Sequence, residues 1–137
     1  MYNVREITKD LFYIGCSDRR LNLFENVYPI NKGMAYNSYF LDDDKTVLFD
    51  TCDKRVSEQF FANLRGVLAG RKLDYLVVNH MEPDHCSLIA DVVRENPDLT
   101  IICSVKTAQM LPQFFDFSAN IQAVKEGDTL ETGHHTL

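Results

Sequence analysis

Between Thr46 and Val124 short apolar runs alternate with segments of helical period, and this alternation constrains the fold more than any other feature of the chain. Val56, Phe60, Phe61, Leu64, Val67 and Leu68 recur at helical spacing, which lines them along one face of a helix, and Gly70 supplies a stop. Residues 73–79 form an apolar run suited to a strand buried on both faces. Leu88, Ile89, Val92 and Val93 mark a second helix, which ends before Pro97 because proline disfavours helix at the residue preceding it. Residues 100–103 read as a strand, 106–115 as a helix interrupted by Pro112, and 121–124 as a further strand. Strands joined through helices run parallel, so this stretch predicts a mostly parallel sheet covered by helices.

The first third of the chain reads differently. Residues 4–8 and 11–16 are rich in β-branched and aromatic side chains around Lys9-Asp10, and 34–41 and 46–50 flank the polar turn 42–45, so two hairpins are expected. Residues 17–33 hold no stable period and read as an ordered loop or substrate-side insertion. An antiparallel start packed onto the alternating part gives an α/β layered sandwich. Past Val124, Glu126-Gly127-Asp128 is a tight turn, and 129–130 and 133–137 read as the arms of a hairpin that the chain leaves half built. With 137 residues, 45% of them apolar, the chain holds enough for one domain core and not two.

Composition excludes several functions. The net charge is -6 and no basic cluster exceeds the Arg19-Arg20 pair, which argues against nucleic acid as a partner. No apolar run approaches the ~20 residues of a membrane span, and the charged start at Met1–Glu6 lacks a targeting segment's apolar run. Cys16, Cys52, Cys86 and Cys103 are scattered without a CxxC pair, so the expectation is a cytoplasmic protein with reduced thiols.

Chemistry concentrates in Asn79-His80-Met81-Glu82-Pro83-Asp84-His85. Two imidazoles and two carboxylates follow directly on a buried strand, where open α/β sheets build their sites. In an extended segment His80 and Glu82 point to one side and converge on one metal ion, and Pro83 holds Glu82 extended. Asp84 and His85 reach a second metal only if the chain turns between them, which a helix starting near Ser87 allows. Singly, each residue has a plainer explanation, such as Asp84 capping a helix. Four ligand-type residues around a proline at a strand end outweigh that account. Glu82 adds a hard anionic oxygen, which favours iron or manganese over zinc and redox chemistry over hydrolysis.

At these residues the chain resembles the metallo-β-lactamase superfamily, whose loop reads H-x-H-x-D-H; here the third position is Glu82. The H-x-E-x-D-H form is similar to that of the flavodiiron proteins, or A-type flavoproteins. The resemblance extends through Arg19-Arg20-Leu21, Phe24-Glu25, Gly33 to Tyr39, Val47 to Thr51 and Lys125 to Leu130. It implies an α/β fold, the metallo-β-lactamase-like αββα sandwich with a mixed sheet and flanking helices, of which residues 1–137 are the N-terminal half. It implies two iron ions, with His80 and Glu82 at one, Asp84 at the other and His85 beside the second, while Asp50 either orients a ligand histidine from behind or is a strand-end turn residue.

The same resemblance implies that further ligands lie beyond residue 137 and that FMN sits on a flavodoxin-like domain absent here. The activity implied is reduction of dioxygen to water or of nitric oxide to nitrous oxide. Electrons would come from rubredoxin or a flavin-linked reductase, in a head-to-tail homodimer. The chain alone is expected to be inactive. A glyoxalase II-like hydrolase is the alternative, against which Glu82 speaks, and a non-catalytic remnant is a third. His134 and His135 are set aside as ligands because adjacency in a strand sends them to opposite faces. Cys86 reads as a buried structural thiol, and Phe24, Tyr36 and Tyr39 as core.

Overall fold

Pairing of the apolar runs produces one seven-stranded sheet. A computed structural model describes residues 2–19, 23–24, 28–29, 33–116 and 118–137, with the backbone alone for 23–24 and 28–29. Strands β1 (Arg5–Glu6), β2 (Leu11–Tyr13), β7 (Tyr39–Leu41) and β8 (Val47–Phe49) pair antiparallel. From β8 onward, β9 (Tyr75–Val78), β10 (Thr100–Ser104) and β11 (Asn120–Val124) continue in parallel, giving the order β1-β2-β7-β8-β9-β10-β11. The antiparallel start and the parallel continuation are those expected from the sequence.

Register explains the core. Phe40 pairs with Leu48, Leu48 with Leu76 and Leu76 with Ile101, so one transverse row of large apolar side chains crosses the sheet, and all four are fully buried. Helix α1 (Ser57–Leu68) covers this face with Phe60, Phe61, Leu64 and Leu68, and α3 (Ile89–Glu95) adds Ile89, Val92 and Val93. Each such side chain contributes roughly 1.5–3 kcal/mol on leaving water. Asp53 caps the 3-10 turn Lys54–Val56 ahead of α1 by accepting the Arg55 N–H at 2.8 Å, and α1 ends at Ala69 and Gly70, both with positive φ. Helix α4 (Val105–Phe114) starts at Ser104, whose hydroxyl accepts the Thr107 N–H at 3.1 Å, and carries Pro112 inside it.

Five expectations are corrected. The segment 34–41 is two strands: β6 (Met34–Tyr36) leaves the main sheet to pair with β3 (Cys16–Asp18), and β7 begins after Asn37-Ser38. Likewise 11–16 breaks at Ile14-Gly15, where the chain crosses between sheets under the Tyr36 carbonyl. Of the expected loop 17–33, the described residues are in part strand: β3, and the pair β4 (Leu23–Phe24) and β5 (Tyr28–Pro29). Residues 20–22, 25–27 and 30–32, with Arg20, Leu21 and Glu25, lie outside the described residues.

The terminal hairpin is closed rather than half built, since Leu130 and Leu137 exchange both backbone hydrogen bonds at 2.9 Å and Glu131 bridges Thr136. His134 and His135 do not lie in a strand; the bend that holds them turns both rings toward Asp43 instead of to opposite faces. Among the described residues no helix is long and apolar enough to cross a membrane.

Candidate metal centre

Strands β8 and β9 run parallel and end side by side, so Asp50-Thr51 and Asn79-His80 emerge together at one edge of the sheet. Asp50 takes a left-handed conformation, φ 56°, and its Oδ1 accepts the backbone N–H of Asn79 at 2.7 Å and of His80 at 3.3 Å. Burial raises the Asp50 carboxyl above its ordinary range against the pull of those amides. Asp50 thus holds the backbone that carries His80.

Glu82 is extended, φ -83° and ψ 155°, as a residue before proline must be, and Pro83 opens the single helical turn α2 (Pro83–Cys86). The turn therefore begins before Ser87, earlier than expected, and it rotates Asp84 back toward His80. His80 Nε2 lies 3.5 Å from Glu82 Oε2 and 3.7 Å from Asp84 Oδ1, and His85 Nε2 lies 3.5 Å from Asp84 Oδ2. The two imidazole rings stand edge to face with centroids 5.4 Å apart. All four sequence-expected residues are thus gathered, with the Asp84 carboxylate reaching both histidines.

His80, Glu82 and Asp84 offer ligand atoms that lie within 4.8 Å of one another. The residues fit a metal ion on a further ground. Asp84 Oδ1 and His85 Nδ1 are buried without a hydrogen-bond partner, a costly state for polar atoms that an ion would relieve. The donor set of imidazoles and carboxylates suits a hard or borderline divalent ion.

Thr51 falls in the stretch Val47 to Thr51 that carries the resemblance, but the sequence assigns it no role of its own. Fully buried, it donates to the His85 carbonyl from its hydroxyl at 2.6 Å and its N–H at 3.0 Å. Its place after Asp50 at a strand end was the available signal. Tyr39, read as core, instead lines an open, mostly apolar pocket of about 460 Å³ with Leu11, Phe49, Asp50 and His85. Tyr36 is core, 1% exposed. Cys86 is buried and donates to the Met81 carbonyl at 3.2 Å, and burial pushes its thiol up to about 11. It acts as a structural thiol.

Residues 34–137 match the family described as ODP family beta lactamase. The chain belongs to that family. Its solved neighbours define the particular fold, the metallo-β-lactamase-like domain of flavodiiron proteins. The flavodiiron protein from Giardia intestinalis superposes with a TM-score of 0.90 at 26% identity over 99% of this chain and 33% of that one. Rubredoxin oxygen:oxidoreductase from Desulfovibrio gigas gives 0.90 at 27% identity over 98% of this chain and 34% of that one. The anaerobic nitric oxide reductase flavorubredoxin of Klebsiella pneumoniae is 32% identical over 130 residues, 93% of this chain and 27% of that protein. The chain thus spans between about a quarter and a third of these relatives.

Proposed function

We propose that residues 1–137 are part of the metallo-β-lactamase-like domain of a flavodiiron-type oxidoreductase and supply one wall of its di-iron centre. The observation that carries this reading is the convergence of His80, Glu82 and Asp84 at the end of β9, beside the unpartnered Asp84 Oδ1 and His85 Nδ1. His80 and Glu82 would hold one iron and Asp84 the other, with His85 beside the second. Bound iron would supply the electrons that reduce dioxygen or nitric oxide.

This chain's own residues bind and position. Glu82 contributes negative charge that favours the oxidised ions, Pro83 fixes its approach, and Asp50 and Thr51 hold the loop's two ends. The open, mostly apolar pocket at Leu11, Tyr39 and Phe49 gives a small uncharged molecule a place beside His85. FMN on a flavodoxin-like domain, a rubredoxin-type or flavin-linked donor, and a head-to-tail dimer complete the assembly by analogy with the relatives. The location is cytoplasmic, where the four free cysteines stay reduced. Elemental analysis of the intact protein purified without oxygen tests the reading: stoichiometric iron supports it, and zinc alone would return the site to hydrolysis.

A further inference from the structure

Strands β7 and β8 end their ladder at the pair Tyr39 and Phe49, and beyond it the two segments part. Tyr36 belongs to β6 in a smaller sheet, and Asp50 turns into the left-handed region at φ 56°. Side chains take over where the ladder stops. The Ser38 hydroxyl donates to the Asp50 carbonyl at 2.9 Å, and the Cys52 thiol donates to the Tyr36 carbonyl at 3.8 Å. Ser38 with Asp50, and Tyr36 with Cys52, thus continue the register of the ladder through side-chain bonds.

Ser38 is fully buried, and its own carbonyl accepts the Ile14 N–H at 2.9 Å, so its hydroxyl reaches Asp50 from a fixed base. A left-handed aspartate is uncommon and persists where the surrounding bonds over-determine it. The Asp50 N–H, which donates to the Val77 carbonyl at 2.9 Å, precedes the rotatable φ bond, so that contact is indifferent to the turn. The peptide after Asp50 lies beyond the turn and is gripped from two sides. Its carbonyl accepts from Ser38, and its N–H, that of Thr51, donates to the His85 carbonyl at 3.0 Å. The Asp50 carboxylate, aimed by the same turn, accepts the N–H groups of Asn79 and His80.

We propose that Ser38 is a positioning residue for the metal loop. Its hydroxyl fixes the peptide between Asp50 and Thr51, which sets the Asp50 carboxylate against the Asn79 and His80 amides and the Thr51 N–H against the His85 carbonyl. On the reading that His80 and Glu82 hold iron, Ser38 directs a ligand without being one. Removing the hydroxyl leaves the Asp50 carbonyl without this donor and the peptide free to turn, which loosens both ends of the loop together.

Amide hydrogen exchange of the intact protein, with its metal and after a chelator has removed it, tests the link. In Ser38→Ala the Thr51, Asn79 and His80 amides are expected to lose about fivefold in protection in both states, while the amides within β9 and β10 keep theirs. Ser38→Thr keeps the hydroxyl and is expected to keep the protection. If Ser38→Ala does not fold, Ser38→Cys, which fills the same space with a weaker donor, is expected to show a smaller loss at the same three amides. Iron release to a chelator is expected to be about fivefold faster in Ser38→Ala than in the parent, with Ser38→Thr restoring the parent rate. A uniform loss across the sheet, no loss at the three amides, or a local loss with unchanged iron release overturns the proposal. A local loss in an intact protein that carries no iron supports the hold of Ser38 on the loop and overturns the iron reading instead.

Discussion

Thr51 donates twice to one acceptor, its hydroxyl at 2.6 Å and its N–H at 3.0 Å both reaching the carbonyl oxygen of His85. Its neighbour Asp50 accepts the N–H groups of Asn79 and His80. Two consecutive residues at the end of one strand therefore grip the ligand loop at its entry and its exit. The loop keeps its shape by backbone contacts that leave the imidazoles and carboxylates free for an ion.

Thr51→Val removes the hydroxyl and keeps both the shape and the N–H. It is expected to cost about 1 kcal/mol in urea unfolding and to speed iron loss from the intact protein to a chelator, with Thr51→Ser restoring both. Equal iron retention in the Val and Ser variants would show that the hydroxyl does not position His85.

His80→Ala and Glu82→Ala are each expected to cut the iron content of the intact protein by about half, because one ion loses a ligand that water replaces poorly. Glu82→His is expected to shift competitive loading from iron toward zinc, since a neutral nitrogen takes the place of an anionic oxygen. Full iron in both alanine variants would remove this loop from the centre.

The parts legible in the sequence were those with local causes. Helical spacing from Val56 to Leu68, the apolar run ahead of His80 and the proline after Glu82 each dictate their own geometry, and the structure repeats them. What escaped depended on partners remote in the chain. Nothing near Asn37 announces that the strand divides between two sheets, because the division follows from pairing with Cys16–Asp18. Strand geometry sends His134 and His135 to opposite faces, whereas a buried carboxylate 91 residues away from His134 draws both rings to one side. The role of Thr51 is hidden for the same reason, as its acceptor lies 34 residues on.

Gly15 permits the crossing between sheets. A Cβ there would stand 2.2 Å from the Tyr36 carbonyl oxygen and 2.7 Å from the Tyr13 ring. Gly15→Ala is expected to destabilise the fold by about 2 kcal/mol or more, since a backbone atom must move. A melting temperature equal to that of the parent would show that the two strands part more easily than their packing implies.

Acid should weaken the protein through Asp43. Burial alone raises its pKa, but the bonds from His134, His135 and Thr132 outweigh burial and hold it well below the ordinary carboxylate range. Its stabilisation is complete above the unfolded value of about 4 and is lost as pH falls through the lower folded value. The urea midpoint is expected to drop below pH 4, and Asp43→Asn to lower it at neutral pH and flatten that acid limb. An identical acid limb in both proteins would mean that other carboxylates govern it.

Strand β8 is only Val47–Phe49, about 10 Å of chain, yet the turn holding Asp43 precedes it and Asp50-Thr51 follow it. Its middle residue Leu48 is wedged in the row between Phe40 and Leu76, so the strand is a stiff spacer. Anchorage and chemistry are thereby insulated from each other. Changes at opposite ends of such a spacer sum independently, which leaves the ligand loop free to be retuned by substitution without disturbing what fastens the hairpin.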